Sequence, residues 1–285
     1  MRFSVFTAST PEWTPAEAVA QLAAQGWDGV EWRVVDQPAP AGDAGFWSGN
    51  RATWPLAGVA DAAEEIARTT TDGGLVISAL AGYARCYERD DVEQLLLATA
   101  RSGAQRVRVT VPALGTGTYP ELFAQAREDY TWVAERAAAH GVKALVELHH
   151  QTITASASAA LRLLDGLDPA HVGVIHDLGN LVIEGWEDPQ PALEMLGDYL
   201  AHVHLKNAVW RPTGERDASG ATVWEHAWAP LREGQASVLA YFRALAAVGY
   251  DDWVTVEDFS TEVPLAERTA DNLAYLRATW DLSRG

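Results

Sequence analysis

The chain of 285 residues holds one cysteine, Cys86, so no internal disulfide can form. Basic residues are scarce: 21 Lys and Arg stand against 39 Asp and Glu, a formal net charge of -18. Such a balance disfavours partners held by broad electrostatic attraction, which speaks against nucleic acid and anionic membrane surfaces. A small molecule, or a neutral or cationic partner, fits better. No apolar run approaches the ~20 residues that a membrane helix needs. The opening MRFSVFTAST also lacks the long apolar core of a signal peptide. The expectation is a soluble, cytoplasmic protein. A dinucleotide fingerprint is missing too, because GTGT at 115 to 118 has no third glycine and follows no strand-to-helix turn.

What is present is regular alternation. At 48% hydrophobic the chain can bury a large core, and no seam divides it. Short β-rich runs alternate with Ala/Leu-rich helical segments from end to end. Eight strand candidates stand out: 3 to 6, 29 to 34, 75 to 80, 106 to 111, 143 to 148, 172 to 177, 200 to 206 and 253 to 257. Thr14-Pro15-Ala16-Glu17 reads as a capping box with proline in the first helical turn, and Gly26 as the stop of that helix. Asp188-Pro189 opens another helix in the same way. An internal echo, LAAQGWDGVE at 22 to 31 against LAAVGYDDWVTVE at 245 to 257, repeats helix, glycine, aromatic-Asp turn and strand, ending each time on glutamate. Eight such units point to one closed (β/α)8 TIM barrel spanning 1 to 285, with an open doubly wound sheet as the alternative. Two Gly/Pro/Trp-rich stretches, 36 to 56 and 207 to 234, follow strands two and seven. In a barrel they form long loops at the C-terminal rim, where sites are built.

The run AHVHLKN at 201 to 207 places His202, His204 and Lys206 on one face of a strand that is otherwise apolar. Buried polar groups must be paired, hydrogen-bonded or bound to a metal. Partners appear at the same height on neighbouring strands: Glu147, Asp177 and Glu257 all sit near C-terminal strand ends. Three carboxylates cannot gather unpaired in a low-dielectric mouth, because their repulsion forces protonation. A divalent cation resolves the conflict. Three oxygen donors and one imidazole suit Mn²⁺ foremost, or Mg²⁺ or Co²⁺, more than a structural zinc site, although a catalytic Zn²⁺ stays open.

With those residues in place the sequence resembles the sugar phosphate isomerase/epimerase group of xylose-isomerase-like TIM barrels. The matching motifs are VELHH (146 to 150), HDLGN (176 to 180), HVHLKN (202 to 207), APLREGQ (229 to 235) and VTVED (254 to 258). The resemblance implies that Glu147, Asp177, His204 and Glu257 bind one metal ion. Asn180 stands where many ketose 3-epimerases carry histidine, which counts against that particular activity. Endonuclease-IV-like repair enzymes share the barrel but need several early histidines, and here none precedes His140.

Around the four lie further candidates. His149 shares a face with Glu147 and is placed to act as acid or base; His150 points away while the strand persists and turns inward where it ends. Lys206, Asn180, Arg232 and His150 are candidates to hold substrate oxygens. Glu31 and Arg33 share one face of strand two and are expected to pair with each other. His202 is expected to support the metal ligands, and His176 to face the helices. Trp13, Trp47, Trp54, Trp186, Trp210, Trp224 and Trp228 fall in the rim segments, where they suit stacking on a sugar ring, loop packing or a subunit contact in a homo-oligomer. The leading functional expectation is a metal-dependent isomerase or epimerase of a small polyhydroxy carbonyl compound, with Glu147 and Glu257 as the exchanging acid/base pair. A lyase using the same enolate, eliminating water or an aglycone, is the alternative, and a non-enzymatic binding module the third.

Overall fold

In the computed structural model, which describes residues 1–38 and 42–285, every expected strand is present. Positions 39–41 of the expected rim loop 36 to 56 lie outside the described residues. The strands are β1 (Arg2–Phe6), β2 (Gly29–Val34), β3 (Thr53–Trp54), β4 (Val76–Arg85), β5 (Arg106–Thr110), β6 (Lys143–Glu147), β7 (Val172–Asp177), β8 (Leu200–Leu205), β9 (Asn207–Arg216), β10 (Thr222–Ala229) and β11 (Trp253–Val256). The helices are α1 (Pro15–Gln25), α2 (Val59–Thr71), α3 (Arg89–Arg101), α4 (Tyr119–His140), α5 (Ala157–Leu164), α6 (Leu178–Glu184), α7 (Pro189–Leu196), α8 (Val238–Ala247) and α9 (Leu265–Ser283). Parallel pairing runs from β1 through β2, β4, β5, β6, β7, β8 and β11, and β11 pairs back onto β1, so the sheet closes into an eight-stranded barrel. Two-residue β3 adds only to the upper part of β2.

Closure buries these strands on both faces: β2, β7 and β11 are buried throughout, one face against helices and the other in the barrel. Trp32 shows the outer layer, fully buried with its indole N–H donating to Thr70 on α2 at 2.9 Å. The helix boundaries follow local chemistry. The Thr14 hydroxyl caps α1 and Glu17 returns a bond to the Thr14 N–H at 2.7 Å, while Gly26 ends the helix at φ 87°. A second capping box, Thr118 with Glu121, starts α4. Asp188 caps α7 ahead of Pro189. Among the described residues no helix is long and apolar enough to cross a membrane.

Segment 207 to 234 departs from the expected loop. Its first part is an antiparallel hairpin of β9 and β10, whose base is registered Asn207 to Ala229 and Ala208 to Trp228. Pro212 and Gly214 break the strand pattern in sequence, yet β9 and β10 pair with no third strand among the described residues, and their outer part tolerates both. The Trp210 indole N–H pins β9 to the Val182 carbonyl of α6 at 2.9 Å.

The remainder of that segment wraps around Asn207. The Asn207 amide donates to the Leu231 and Ala236 carbonyls, each at 2.9 Å, and its oxygen accepts from the Ala236 N–H at 3.1 Å. Gly234 makes this wrap possible, because a Cβ there would lie 2.0 Å from Asn207 Cγ. Gly234→Ala should therefore cost about 1–3 kcal/mol, the range for forcing extra atoms into a packed site. Urea unfolding of the variant measures this; a midpoint unchanged from wild type would contradict the clamp.

Candidate metal centre

Strand register sets the height of the central group. His204 lies opposite Asp177 on β7 and Thr255 on β11, while Glu147 on β6 lies opposite Ile175. The Glu257 N–H continues the ladder to the Leu205 carbonyl at 3.0 Å. One ligand atom from each of Glu147, Asp177, His204 and Glu257 falls within 4.8 Å of the others, and all four residues are buried. The imidazole Nδ1 of His204 faces the carboxylates: 3.2 Å to Glu257, 3.4 Å to Glu147 and 3.8 Å to Asp177. Its Nε2–H donates to Glu31 at 3.1 Å. That bond orients the ring and, in the neutral tautomer, leaves the Nδ1 lone pair toward the cluster.

Glu31 thus takes His204 rather than the expected Arg33. It also accepts from His202 Nε2 at 2.9 Å, below His204 in the barrel. Arg33 sits one layer higher, donating to Thr53 at 2.7 Å and Gln37 at 3.1 Å. Two residues on one strand face project to different heights, and each met a closer partner at its own level. His202 supports the centre through Glu31, and His176 faces the helices, bonded to Tyr241 of α8 at 2.8 Å.

Charge is the site's dominant feature. Burial works against ionised Glu31, yet the charges of His204 and His202 hold it well below the usual carboxylate range. Glu147 is likewise held well below, chiefly by Arg108 against the cost of burial. Lys206 sends its ammonium to both Asp177 and Glu257. With His204, this outweighs burial at Glu257 and holds it at about 2. Asp177 is the surplus acid: burial, with Glu257 and Glu147 beside it, overrides Lys206 and pushes it up to about 8. His204 is driven the other way, well above the usual histidine value, because Glu31 and Glu257 overcome its burial. The upward shifts of Asp177 and His204 mark an excess of negative charge among three carboxylates and one imidazole, which a divalent ion would offset.

Above the cluster opens a cavity of about 450 Å³ whose lining includes Glu147, Glu257, Lys206, His149, His150 and Trp228. Asp177 and His204 lie beneath it, with no exposed surface. Asp177 also caps α6, its second oxygen accepting from the Asn180 N–H at 2.8 Å. Gly179 permits this approach, since a Cβ there would meet the Lys206 carbonyl carbon and oxygen at about 3 Å. Asn180 does not face substrate space: buried, it donates to Glu147 at 3.2 Å and to the Leu148 carbonyl at 3.0 Å, and accepts from His150 at 3.0 Å. His150 turns inward past the strand end, where burial and neighbouring His149 lower it to about 4. His149 donates from Nδ1 to the His150 carbonyl at 2.7 Å, leaving Nε2 as its free end.

Arg232 is a correction. It pairs with Asp271 on the outside of the barrel and lies over the Tyr275 ring, because the Asn207 clamp carries it past the rim. The tryptophans divide: Trp47 and Trp228 line the cavity, Trp54 packs against Trp32 in the core, and Trp186 and Trp224 are exposed. Arg108 and Tyr83 are among the cavity residues that the sequence reading does not single out. Arg108 on β5 donates to Glu147 at 2.7 Å with both groups buried, and Tyr83 on β4 lies under its guanidinium at 4.6 Å. The run RVRVT carried a signal for Arg108, an arginine on the same strand face as Arg106 and Thr110.

The family model described as xylose isomerase-like TIM barrel matches residues 19–279. The chain belongs to that family. Among curated proteins it is similar to inosose dehydratase of Lacticaseibacillus casei, at 26% identity over 129 residues, 44% of this chain and 43% of that protein. The match thus spans under half the relative's length. Among solved structures it resembles the apo form of 3-keto-D-glucoside 4-epimerase from E. coli, with TM-score 0.72, 18% identity and 98% and 99% of the two chains covered. It also resembles the IOLI protein solved with a bound zinc atom, with TM-score 0.74, 15% identity and 99% of both chains covered.

The Arg108–Glu147 pair is directly testable. Arg108→Met leaves Glu147 buried beside fewer cations and should destabilise the protein in chelator by about 3–5 kcal/mol. Adding Glu147→Gln should recover much of that loss in a double-mutant cycle; strict additivity would show that the two do not interact.

Proposed function

We propose that the chain is a divalent-metal-dependent enzyme acting on a sugar or related polyhydroxy carbonyl compound, and that it isomerises or epimerises its substrate through an enediolate. The observation that carries this reading is the division within the cluster: Glu147 and Glu257 face the cavity, while Asp177 and His204 lie buried beneath. Glu147, Asp177, His204 and Glu257 are the residues that would hold the ion. When bound, a divalent ion supplies Lewis acidity that makes the C–H beside a substrate carbonyl easier to ionise. Mn²⁺ suits the oxygen-rich set best, with Mg²⁺, Co²⁺ and Zn²⁺ as the competing assignments.

Glu147 and Glu257 come from strands on different sides of His204, so two carboxylates approach the cavity floor from two directions. In this reading one takes a proton from carbon and the other returns it. Arg108 and Asn180 fix the two oxygens of Glu147, and Lys206 fixes Glu257. Preorganised carboxylates of this kind meet the geometric demand of general acid/base catalysis. Lys206 and His150 reach the same space and are assigned to substrate oxygens.

Elimination is the second reading, favoured by one observation. His149 lines the cavity with no hydrogen-bond partner at Nε2 among the described residues, an additional base or acid beside the carboxylates. The similarity to inosose dehydratase points the same way.

Elemental analysis of purified protein should find about one divalent ion per chain, and chelation should abolish turnover. Activity that persists in metal-free protein would overturn the reading. Glu147→Gln and Glu257→Gln should each lower turnover at least about 100-fold, roughly 3 kcal/mol of barrier, while wild type exchanges a substrate C–H for solvent deuterium. Product mass then separates the routes: an isomeric product supports the first, loss of water or aglycone the second. Exchange abolished by His149→Ala and retained in both glutamine variants would transfer the base to histidine.

A further inference from the structure

Three cations line the cavity, and they are not alike. Lys206 serves Asp177 and Glu257, and Arg108 serves Glu147. The Arg85 guanidinium, at the end of β4, donates from Nη1 to the Tyr87 hydroxyl at 2.9 Å and meets no carboxylate within ion-pair reach among the described residues, while the Arg85 backbone N–H donates to the Glu88 carboxylate at 2.7 Å. In a chain with 39 acids and 21 bases, a guanidinium at the cavity wall without an ion-paired carboxylate runs against the composition. Nearby, Arg33 lies 5.2 Å from the centre of the Tyr83 ring, and Arg108 4.6 Å. Arg33 is buried, and its bonds go to Thr53, Gln37 and the Trp47 carbonyl, all uncharged. Its Nε has no partner among the described residues.

The charge balance gives this arrangement a direction. With a divalent ion in place, Glu31, Glu147, Asp177 and Glu257 are matched by the ion, Arg108 and Lys206, and both histidines can be neutral. Arg33 and Arg85 remain, on the β2 and β4 side of the mouth. At physiological ionic strength charges beyond about 8 Å are largely screened, so near neighbours set the balance at the mouth; the acid bonded to Arg85, Glu88, is exposed and holds its backbone N–H, leaving the guanidinium without an ion pair among the described residues. A guanidinium with free N–H groups at a cavity wall is the group best matched to a planar or tetrahedral oxyanion.

We propose that the substrate carries an anionic group, a carboxylate or a phosphate monoester, seated on Arg85 while its reacting carbon lies over Glu147 and Glu257. The proposal rests on the metal-dependent reading above and narrows its substrate class.

Titration calorimetry on Mn²⁺-loaded protein tests it, with D-glucuronate, D-glucose 6-phosphate and neutral D-glucose as probes. Wild type should bind at least one anionic probe roughly 10-fold or more tighter than glucose, the scale of one charge-assisted contact. The ion itself attracts anions, so the Arg85 variants decide. Arg85→Gln should reduce the preference to within about threefold, with metal content and glucose affinity unchanged, and Arg85→Lys should retain part of it. The carboxylate and phosphate arms separate the two sources. No preference in wild type, an undiminished preference in Arg85→Gln, or no binding of either anionic probe overturns the proposal. Should elemental analysis find no metal, the enzymatic reading falls, while the same titrations on metal-free protein still decide the question of the anion.

Discussion

Four carboxylates enclosed at one end of a closed barrel set the terms for the rest of this structure. Burying an unpaired carboxylate costs several kcal/mol, and crowding makes the cost worse. Four side chains around them answer that demand: Arg108 at Glu147, Lys206 between Asp177 and Glu257, and His202 and His204 at Glu31. Even the backbone contributes, since α6 begins on Asp177 and its first turn delivers Asn180 to Glu147. The centre is therefore a network in which each group has a second partner, and a change to any one is transmitted to the others.

The barrel was legible because it repeats. Each of the eight strands announced itself by β-branched residues and each of several helices by its capping residues, and one rule served all of them. The four central residues were legible for a related reason: parallel strands in register bring equivalent positions to equal heights, so the polar residues of AHVHLKN, HDLGN and VELHH meet at one level.

What escaped the sequence depends on contacts between levels or beyond the strands. Arg108 carries the same strand-face signal as its neighbour Arg106, and their different heights along β5 bring one to Glu147 and the other to Asp252 near the opposite end. Glu31 and Arg33 share a face yet belong to different layers. Arg232 lies beyond a clamp, set by Asn207 and Gly234, whose path no local pattern encodes. The hairpin was hidden by Pro212 and Gly214, residues that signal a turn unless the strand has an open edge.

That hairpin has an architectural consequence. Its base is locked to the barrel through Asn207, which follows Lys206 directly, and it returns at Trp228, above the cavity. The outer part, from Pro212 to Trp224, is tied to neither. Insertions, deletions or exchanges there can vary what the protein meets at its entrance while the anchoring residues stay in place. The hairpin thus behaves as an interchangeable module on a fixed socket, a point where one barrel can diversify without rebuilding its centre.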